Sequence, residues 1–303
     1  MARGGTLEFV ARVPAGQDGG EGASRASPGR ITSNELVQEL LATFASPQYT
    51  PPLLPAIAME VLEMSRRPNV DLRKLARLVE KDSFIAGRVV RLAQSPFYAG
   101  RAQITSLQDA VVRLGLESLN QMVFQVAANM KVFRAKGYEA PMEELRRHSV
   151  ATAYITTAVC QRASLSTEFA FLCGLFHDVG MAAALIAITE HAKGPQPPNF
   201  AAIWPAVQTC HERASQSLAA LWKLPPEVRV VVGNHHYFHV GQYLHPVAAA
   251  VCLADWIASG AAAGMQSHVD PAIAAKAQGA LGIGDDVLSV LAEEAAVIVK
   301  QIQ

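Results

Sequence analysis

The chain has 303 residues, half of them hydrophobic, and its 26 basic side chains balance its 26 acidic ones. This length corresponds to one large domain or two ordinary ones, and it allows a core without disulfides or structural metal. Zero net charge argues against direct nucleic-acid binding and against docking on anionic membranes, which both require an excess of Lys and Arg. Four widely spaced cysteines without a CxxC pair indicate buried thiols in a reducing compartment, so we expect a cytoplasmic protein.

The amino-terminal segment differs in composition from the rest of the chain. Residues 1–30 are rich in Gly and mix it with Ser, Pro and scattered charges, which predicts a flexible tail. Gly, Arg and Glu interrupt its apolar residues, so the sequence predicts no secretory signal there. Thr32 followed by Glu35 predicts a capping box at the start of the first helix.

Beyond Thr32, apolar residues recur at spacings of three and four, which predicts helices almost throughout. Gly115 predicts a break between two helices. The other predicted helices are 55–64, 71–80, 82–94, 142–163, 166–178, 181–191, 206–223, 226–236, 246–259 and 285–300. The segment nearest to a membrane span, Val247–Gly264, carries Asp255 at its middle and is interpreted as a buried helix. The sequence therefore predicts an all-α protein.

In the second half, residues that commonly bind metal interrupt helices that otherwise have the composition of a core. These candidate site residues are Glu144, His148, His177, Asp178, His211, His235, His236 and Asp255. Glu144 lies four residues before His148, so the two side chains can address one point on the helix surface. The four remaining histidines are predicted at the surface or at helix ends; they are His191, His239, His245 and His268.

Each candidate also has an ordinary structural interpretation. A single His on an apolar face is usually a hydrogen-bonded core residue, a buried Asp usually has a polar partner, and a His–His pair suits a helix end. Because several separate apolar helices each carry such a residue, the set together favours one shared polar site. Imidazole and carboxylate ligands suit a divalent metal such as Mn, Fe, Zn, Mg or Ni. No phosphate-binding Gly loop is present in the sequence, and no organic cofactor is expected.

The order of His148, then His177–Asp178, then Asp255 resembles the HD superfamily of metal-dependent phosphohydrolases. His211 and His235–His236 resemble the additional ligands of its HD-GYP branch, and Glu144 resembles a further ligand found in some of those enzymes. Between about Leu53 and Ile257 the chain resembles the HDOD domain, an HD-related bacterial signalling module. The segments that carry this likeness are LLPAIAMEVLEM, LARLVEKDSFIAGRVVRLAQSPFY, ITSLQDAVVRLG and HERASQSLAALWKLPPEVRVVVGNHH.

The resemblance implies a multi-helix HD-like bundle preceded by an amino-terminal helical subdomain. We expect a tail at 1–30, the first helical part at 31–135, the HD-like part at 136–262, and a linker and helix at 263–303. The resemblance also implies that the eight candidate residues are metal ligands. HDOD domains usually act in signal transduction as non-catalytic modules.

Two departures from the HD-GYP pattern bear on activity. Met181 stands where those enzymes carry Lys, and the segment YFHVGQYLHP replaces their GYP loop. Both argue against hydrolysis of cyclic di-GMP, although Arg146, Arg147 and Arg213 lie near candidate ligands and could replace the missing cation.

Two functions therefore stay open at this stage. The first is a bacterial cytoplasmic regulatory module that contacts other signalling proteins and has a pocket for divalent metal. The second is an active metal-dependent phosphohydrolase acting on a nucleotide or another phosphodiester, including a cyclic dinucleotide. In that enzyme, Asp178 would be catalytic and would bridge the metals or orient the attacking water.

Overall fold

The computed structural model describes residues 32–95, 98, 104–192, 196–266 and 269–302. The predicted tail at 1–30 and His268 lie outside the described residues. The described elements are, in chain order, α1 (Ser33–Ala45), α2 (Ala56–Ser65), α3 (Leu72–Val79), α4 (Ser83–Ala93), α5 (Leu107–Lys131), α6 (Glu139–Arg162), α7 (Ala170–Phe176), α8 (Val179–His191), α9 (Phe200–Leu221), α10 (Pro226–Val232), β1 (His239–Val240), β2 (Tyr243–Leu244), α11 (Pro246–Gly260), α12 (Pro271–Ala280) and α13 (Asp285–Ile302). The all-α prediction is confirmed.

The described residues form two compact units. One unit spans Pro52–Phe133 and contains α2 to α5. Asp71 and Asp82 cap α3 and α4 by accepting hydrogen bonds from backbone N–H groups of the first turn. Within α5, Gly115 has a φ of 74°, outside the helical region, so the predicted break lies at this residue.

The other unit contains the described residues up to Pro51 and those from Arg134 onwards. Thr32 caps α1 through the predicted capping box, and α1 packs against α9 inside this unit. The structure thus groups α1 with the HD-like part, whereas the sequence grouped it with the first helical part. The difference arises because the α1–α9 contact joins segments more than 150 residues apart, which local patterns do not reveal.

The carboxyl-terminal part also differs from the prediction. The expected linker contains a further helix, α12, which Asp270 caps and Pro271 begins. Strands β1 and β2 pair antiparallel in a short hairpin within the segment that follows the His–His pair. Two residues per strand are too few for a recognisable alternation of polar and apolar side chains, so the pattern did not predict them.

One apolar stretch of the described chain, Ala170–His191, is long and apolar enough to cross a membrane. It comprises α7 and α8 with the turn between them, and 94% of its most apolar window is buried inside the protein. Such burial is typical of a core segment. The segment named from the sequence, Val247–Gly264, overlaps the shorter apolar helix α11.

Close backbone approach places α7 and α8 against their neighbours. A Cβ added at Gly174 would lie 2.6 Å from the Cα of Ala153 on α6. A Cβ added at Gly180 would lie 2.2 Å from the carbonyl oxygen of His211 on α9. Both distances are shorter than real Cβ contacts, so only glycine allows α6 to lie this near α7 and α9 this near α8.

Candidate metal centre

Five segments of one unit bring their polar residues to one buried point. The segments are α6, the turn between α7 and α8, α9, the turn after α10, and α11. They contribute His148, His177, Asp178, His211, His235, His236 and Asp255. Six of these seven residues are at most 5% exposed, and His236 is half-buried. The core therefore contains seven ionisable groups, which is costly unless they pair with one another or hold a cation.

Asp178 lies at the centre of this cluster. Its Oδ2 is 3.2 Å from Nε2 of His177, and its Oδ1 is 3.4 Å from Nε2 of His211 and 3.6 Å from Nε2 of His235. A pair on the opposite side brings Nε2 of His148 within 3.0 Å of Oδ1 of Asp255. The ligand-type atoms thus lie at separations that bound metal ions could span.

Three of the histidines are oriented by the same local device. In each, ring Nδ1 lies within hydrogen-bond distance of the carbonyl oxygen three residues earlier, and Nδ1 as the donor leaves Nε2 with its lone pair. The bonds join His177 to Gly174 at 2.8 Å, His211 to Gln208 at 2.5 Å and His235 to Val232 at 3.1 Å. Backbone carbonyls commonly fix metal-binding histidines in this way.

The Nε2 atoms of three histidines crowd together. Nε2 of His211 is 3.0 Å from Nε2 of His236 and 3.3 Å from Nε2 of His235. Lone pairs at such distances repel unless a proton or a cation lies between them. Two nitrogen ligands of a tetrahedral zinc ion, at bond lengths of about 2.0–2.1 Å, lie about 3.3 Å apart. The spacing therefore fits a shared metal ion.

Unsatisfied atoms point to the same conclusion. Among the described residues, three atoms of the cluster are buried without a hydrogen-bond partner: Nε2 of His177, Oδ1 of Asp178 and Oδ1 of Asp255. Their short distances to neighbouring groups lack hydrogen-bond geometry, as expected for atoms directed at a common third point. A buried polar atom left unpaired costs about 1–3 kcal/mol, more when charged, and a divalent cation would remove this cost.

The candidate ligands form two overlapping groups. Asp178, His211, His235 and His236 each offer an atom within 4.8 Å of the others, and His148, His177 and Asp178 do the same. Asp178 belongs to both groups, so its carboxylate could bridge two ions. Mn, Fe, Zn and Ni all accept imidazole and carboxylate ligands, so the residues present fit a divalent ion of this kind.

Charge interactions set the protonation of the metal-free cluster. Burial opposes the ionised form of Asp178, but His177 outweighs it, so the pKa of the carboxyl is well below its usual value. Burial likewise opposes a charged His177, and the Asp178 carboxylate overcomes it, raising the pKa of the imidazole to about 9. Burial, then His235 and His211, lower the pKa of His236 to about 2. A metal ion would therefore meet two ionised carboxylates, those of Asp178 and Asp255, and would have to displace the proton on His177.

Glu144 is not brought to the cluster. Its side chain is exposed, and its backbone carbonyl accepts a hydrogen bond from Met265 and lies against Gly264. Residues four apart on an α-helix are offset by about 6 Å along the axis. The carboxylate of Glu144 thus lies one turn beyond the pocket that His148 enters.

The histidines predicted outside the site that the structure describes are at helix ends or at the surface. His245 caps α11 by accepting from the backbone N–H of Ala248, and His191 in the last turn of α8 bonds to the carbonyl of Ala187. His239 is exposed on the hairpin.

Two residues around the cluster, Ser215 and Glu212, were not predicted from the sequence. The hydroxyl of Ser215 donates to the carbonyl of His177 at 2.7 Å and accepts from the backbone N–H of Gly180 at 2.9 Å. Glu212 accepts from the backbone N–H of His236 at 3.0 Å. Their partners are 24 to 38 residues away in the chain. The nearest available signal is the polar Ser215 on an otherwise apolar helix face.

An all-α fold with one buried His/Asp cluster drawn from five helical segments defines an HD-type domain. The family model of the HDOD domain matches residues 52–238, more than half of the chain, and the chain therefore belongs to the HDOD family. A curated relative, an uncharacterised protein of Treponema pallidum (strain Nichols), is 23% identical over 239 residues. That match covers 75% of this chain and 46% of the relative, so the chain spans less than half the length of that protein.

Solved structures share the fold. A protein of Shewanella amazonensis SB2B named "Putative metal-dependent phosphohydrolase" superposes with a TM-score of 0.68 at 19% identity, covering 89% of this chain and 98% of its own. A protein of Marinobacter aquaeolei VT8 named "Putative signal transduction protein" superposes with a TM-score of 0.63 at 18% identity, covering 89% of this chain and 64% of its own. At these identities the likeness shows a common fold.

Proposed function

We propose that this chain is a regulatory module of bacterial signal transduction that binds divalent metal in its buried His/Asp site and contacts other signalling proteins. The observation that carries the proposal is the convergence of five histidines on Asp178 within one unit. Membership of the HDOD family supports the signalling role. Four buried free thiols suit the reducing cytoplasm, which we propose as its compartment.

The residues of the site have distinct roles in this proposal. Asp178 would be shared between two metal positions, with His211, His235 and His236 on one side and His148 and His177 on the other. Asp255 would complete the second side through its contact with His148. A bound metal supplies the positive charge that these lone pairs require. The protein groups hold the ligands in place and exclude water from them.

Closure of the site favours regulation over catalysis. A catalytic metal keeps a coordination position open to water or substrate, whereas six of the seven ligand residues are at most 5% exposed. Met181, at the position of the HD-GYP lysine, is fully buried and carries no charge. Arg146 forms an ion pair with Glu143, and Arg213 is exposed. Met181 and Arg146 therefore do not supply the cation that a phosphate would need, and Arg147, which is half-buried with an unpaired Nε, is the one of the three arginines left as a candidate.

A metal-dependent phosphohydrolase is the second candidate, and the shared carboxylate of Asp178 favours it. Two ions that share a carboxylate are typical of enzymes that cleave phosphate esters. A nucleotide or cyclic dinucleotide would reach the site at its half-buried edge, beside His236. Asp178 would then be the catalytic residue that orients the attacking water.

Elemental analysis of the protein purified without chelator tests metal binding. We expect at least one equivalent of a transition metal after loading with Mn or Fe, and less than a tenth of that in an Asp178→Ala variant. Asp286→Ala, which makes the same change at an exposed position of α13, is the matched control and should retain the metal. A wild-type protein without stoichiometric metal after loading would contradict the proposal.

Turnover of a phosphodiester panel separates the two candidates. The metal-loaded wild type and Asp178→Ala are incubated with nucleotides, cyclic dinucleotides and a chromogenic phosphodiester. A regulatory module predicts equal background rates in both proteins. A wild-type rate more than tenfold above that of the variant would assign the phosphohydrolase function instead.

A further inference from the structure

Glu212 lies next to the candidate ligand His211 on α9, and its side chain contacts the turn that follows α10. Its side chain is 19% exposed. One carboxylate oxygen, Oε1, accepts a hydrogen bond from the backbone N–H of His236 at 3.0 Å and lies 3.7 Å from Nδ1 of His235. A single acidic side chain thus contacts both members of the His–His pair from outside the cluster.

The turn after α10 needs such a contact. The helix ends at Val232, and beyond it the backbone N–H of His236 finds its acceptor in Glu212 rather than in a helical carbonyl. The ring of His235 already has an acceptor in the carbonyl of Val232. The hydrogen bond that Glu212 accepts from His236 therefore fixes the position of the His–His segment more than the tautomer of His235.

A second contact shows that the turn rests on the same helix face. Gly233 approaches the side chain of Gln216, one helical turn beyond Glu212, so closely that an added Cβ would lie 2.9 Å from its amide. Helix α9 thus presents His211 to the cluster and Glu212 and Gln216 to the turn. The relative position of the three imidazoles depends on this side of α9.

We propose that Glu212 is a positioning residue of the metal centre, whose carboxylate holds the His235–His236 segment so that both rings meet His211 at one ion. This inference rests on the metal binding proposed above. Removal of a hydrogen-bonding group that orients a ligating histidine typically lowers metal affinity by about 10–100-fold. The negative charge of Glu212 also favours a cation in the group formed by His211, His235 and His236.

Cobalt titration of the full chain tests this role. Co²⁺ reports both affinity and, through its visible absorption, the number and type of ligands. We expect Glu212→Ala to raise the Kd for Co²⁺ about 10–100-fold and Glu212→Gln, which keeps an oxygen acceptor but loses the charge, about tenfold. The visible spectrum of the loaded variants should also differ from that of the wild type. Glu227→Gln removes the same charge from an exposed position of α10 and should match the wild type.

Melting of the metal-free proteins separates positioning from a merely structural role. A structural role would lower the melting temperature and leave the loaded spectrum unchanged, which would overturn the inference. Kd values within twofold of the wild type in both Glu212 variants would overturn it as well. Where Glu212→Ala does not fold, Glu212→Gln alone decides by the same twofold limit. A wild type that binds no Co²⁺ would instead refute the proposed function itself.

Discussion

Replacing Gly180 with Ala should damage both the fold and the metal centre. The added methyl group would lie 2.2 Å from the carbonyl oxygen of His211, 2.6 Å from the backbone nitrogen of Ser215 and 2.8 Å from Cβ of Ala214. Two of these atoms belong to the backbone of α9, which cannot rotate away as a side chain can. Helix α8 must therefore move away from α9, and Asp178 moves with it, away from His211.

The structure gives the size of this effect. Overpacking of a core position costs about 1–3 kcal/mol. The displacement also strains the two hydrogen bonds of the Ser215 hydroxyl, each worth about 1 kcal/mol. We therefore expect Gly180→Ala to lower the free energy of unfolding by about 2–5 kcal/mol, a large part of the 5–15 kcal/mol typical of a domain. The distance of 3.4 Å between Asp178 and His211 would increase, so Co²⁺ affinity should fall at least about tenfold.

Urea denaturation followed by circular dichroism measures the first effect, and Co²⁺ titration of the folded variant measures the second. Gly279→Ala on α12 is the matched control, because an added Cβ there meets no atom within 4 Å. That variant should be as stable as the wild type or more stable by up to about 1 kcal/mol, because Ala is the better helix former. Gly180→Ala within about 0.5 kcal/mol of the wild type, with unchanged Co²⁺ affinity, would refute the packing argument.

Three further predictions follow from the same geometry. Ser215→Ala should lower the free energy of unfolding by about 1–3 kcal/mol in urea denaturation because two buried backbone groups lose their partner, whereas the exposed Ser289→Ala should change it little. His177 has a pKa of about 9 in the metal-free fold and about 6.5 when unfolded, so its stabilising charge is fully present below pH 6.5 and is lost as the pH rises through 9. Urea denaturation of the metal-free protein should give a lower free energy of unfolding at pH 9 than at pH 6.5. The affinity for Co²⁺ should rise over the same interval because the competing proton leaves His177, and an affinity independent of pH would contradict this prediction. Burial raises the pKa of the four cysteine thiols, to about 12 in three of them; the thiols are those of Cys160, Cys173, Cys210 and Cys252. A thiol reagent at pH 8 should therefore react with the protein unfolded in urea but not with the native protein.

The candidate site shows what a sequence reveals about non-local geometry. His148, His211 and Asp255 stand out because each interrupts an apolar helix face, and this anomaly is visible in a short window. The structure brings them to one point with His177 and Asp178. That these residues come together could be expected only from the number of such interruptions and from the family resemblance. Helical periodicity predicts which face of a helix a residue lies on, but it does not predict which other helix that face contacts.

Other features of the molecule depend on tertiary packing and have no local pattern. The spacing of Glu144 and His148 places both on one helix face, but Glu144, one turn earlier on α6, is exposed to solvent while His148 is buried. Glu212 belongs to the site through a turn 24 residues further along the chain, so nothing beside it in the sequence marks it. The place of α1 beside α9 is likewise set by packing alone.

Anomalous diffraction from crystals of the chain loaded with Mn tests the central claim most directly. The proposal predicts anomalous density beside the carboxylate of Asp178, bounded by the Nε2 atoms of His211, His235 and His236, with a second position towards His148 and His177. The density should be absent in Asp178→Ala crystals treated in the same way. Density only at surface carboxylates, or none beside Asp178 at saturating Mn, would contradict a metal centre in this protein.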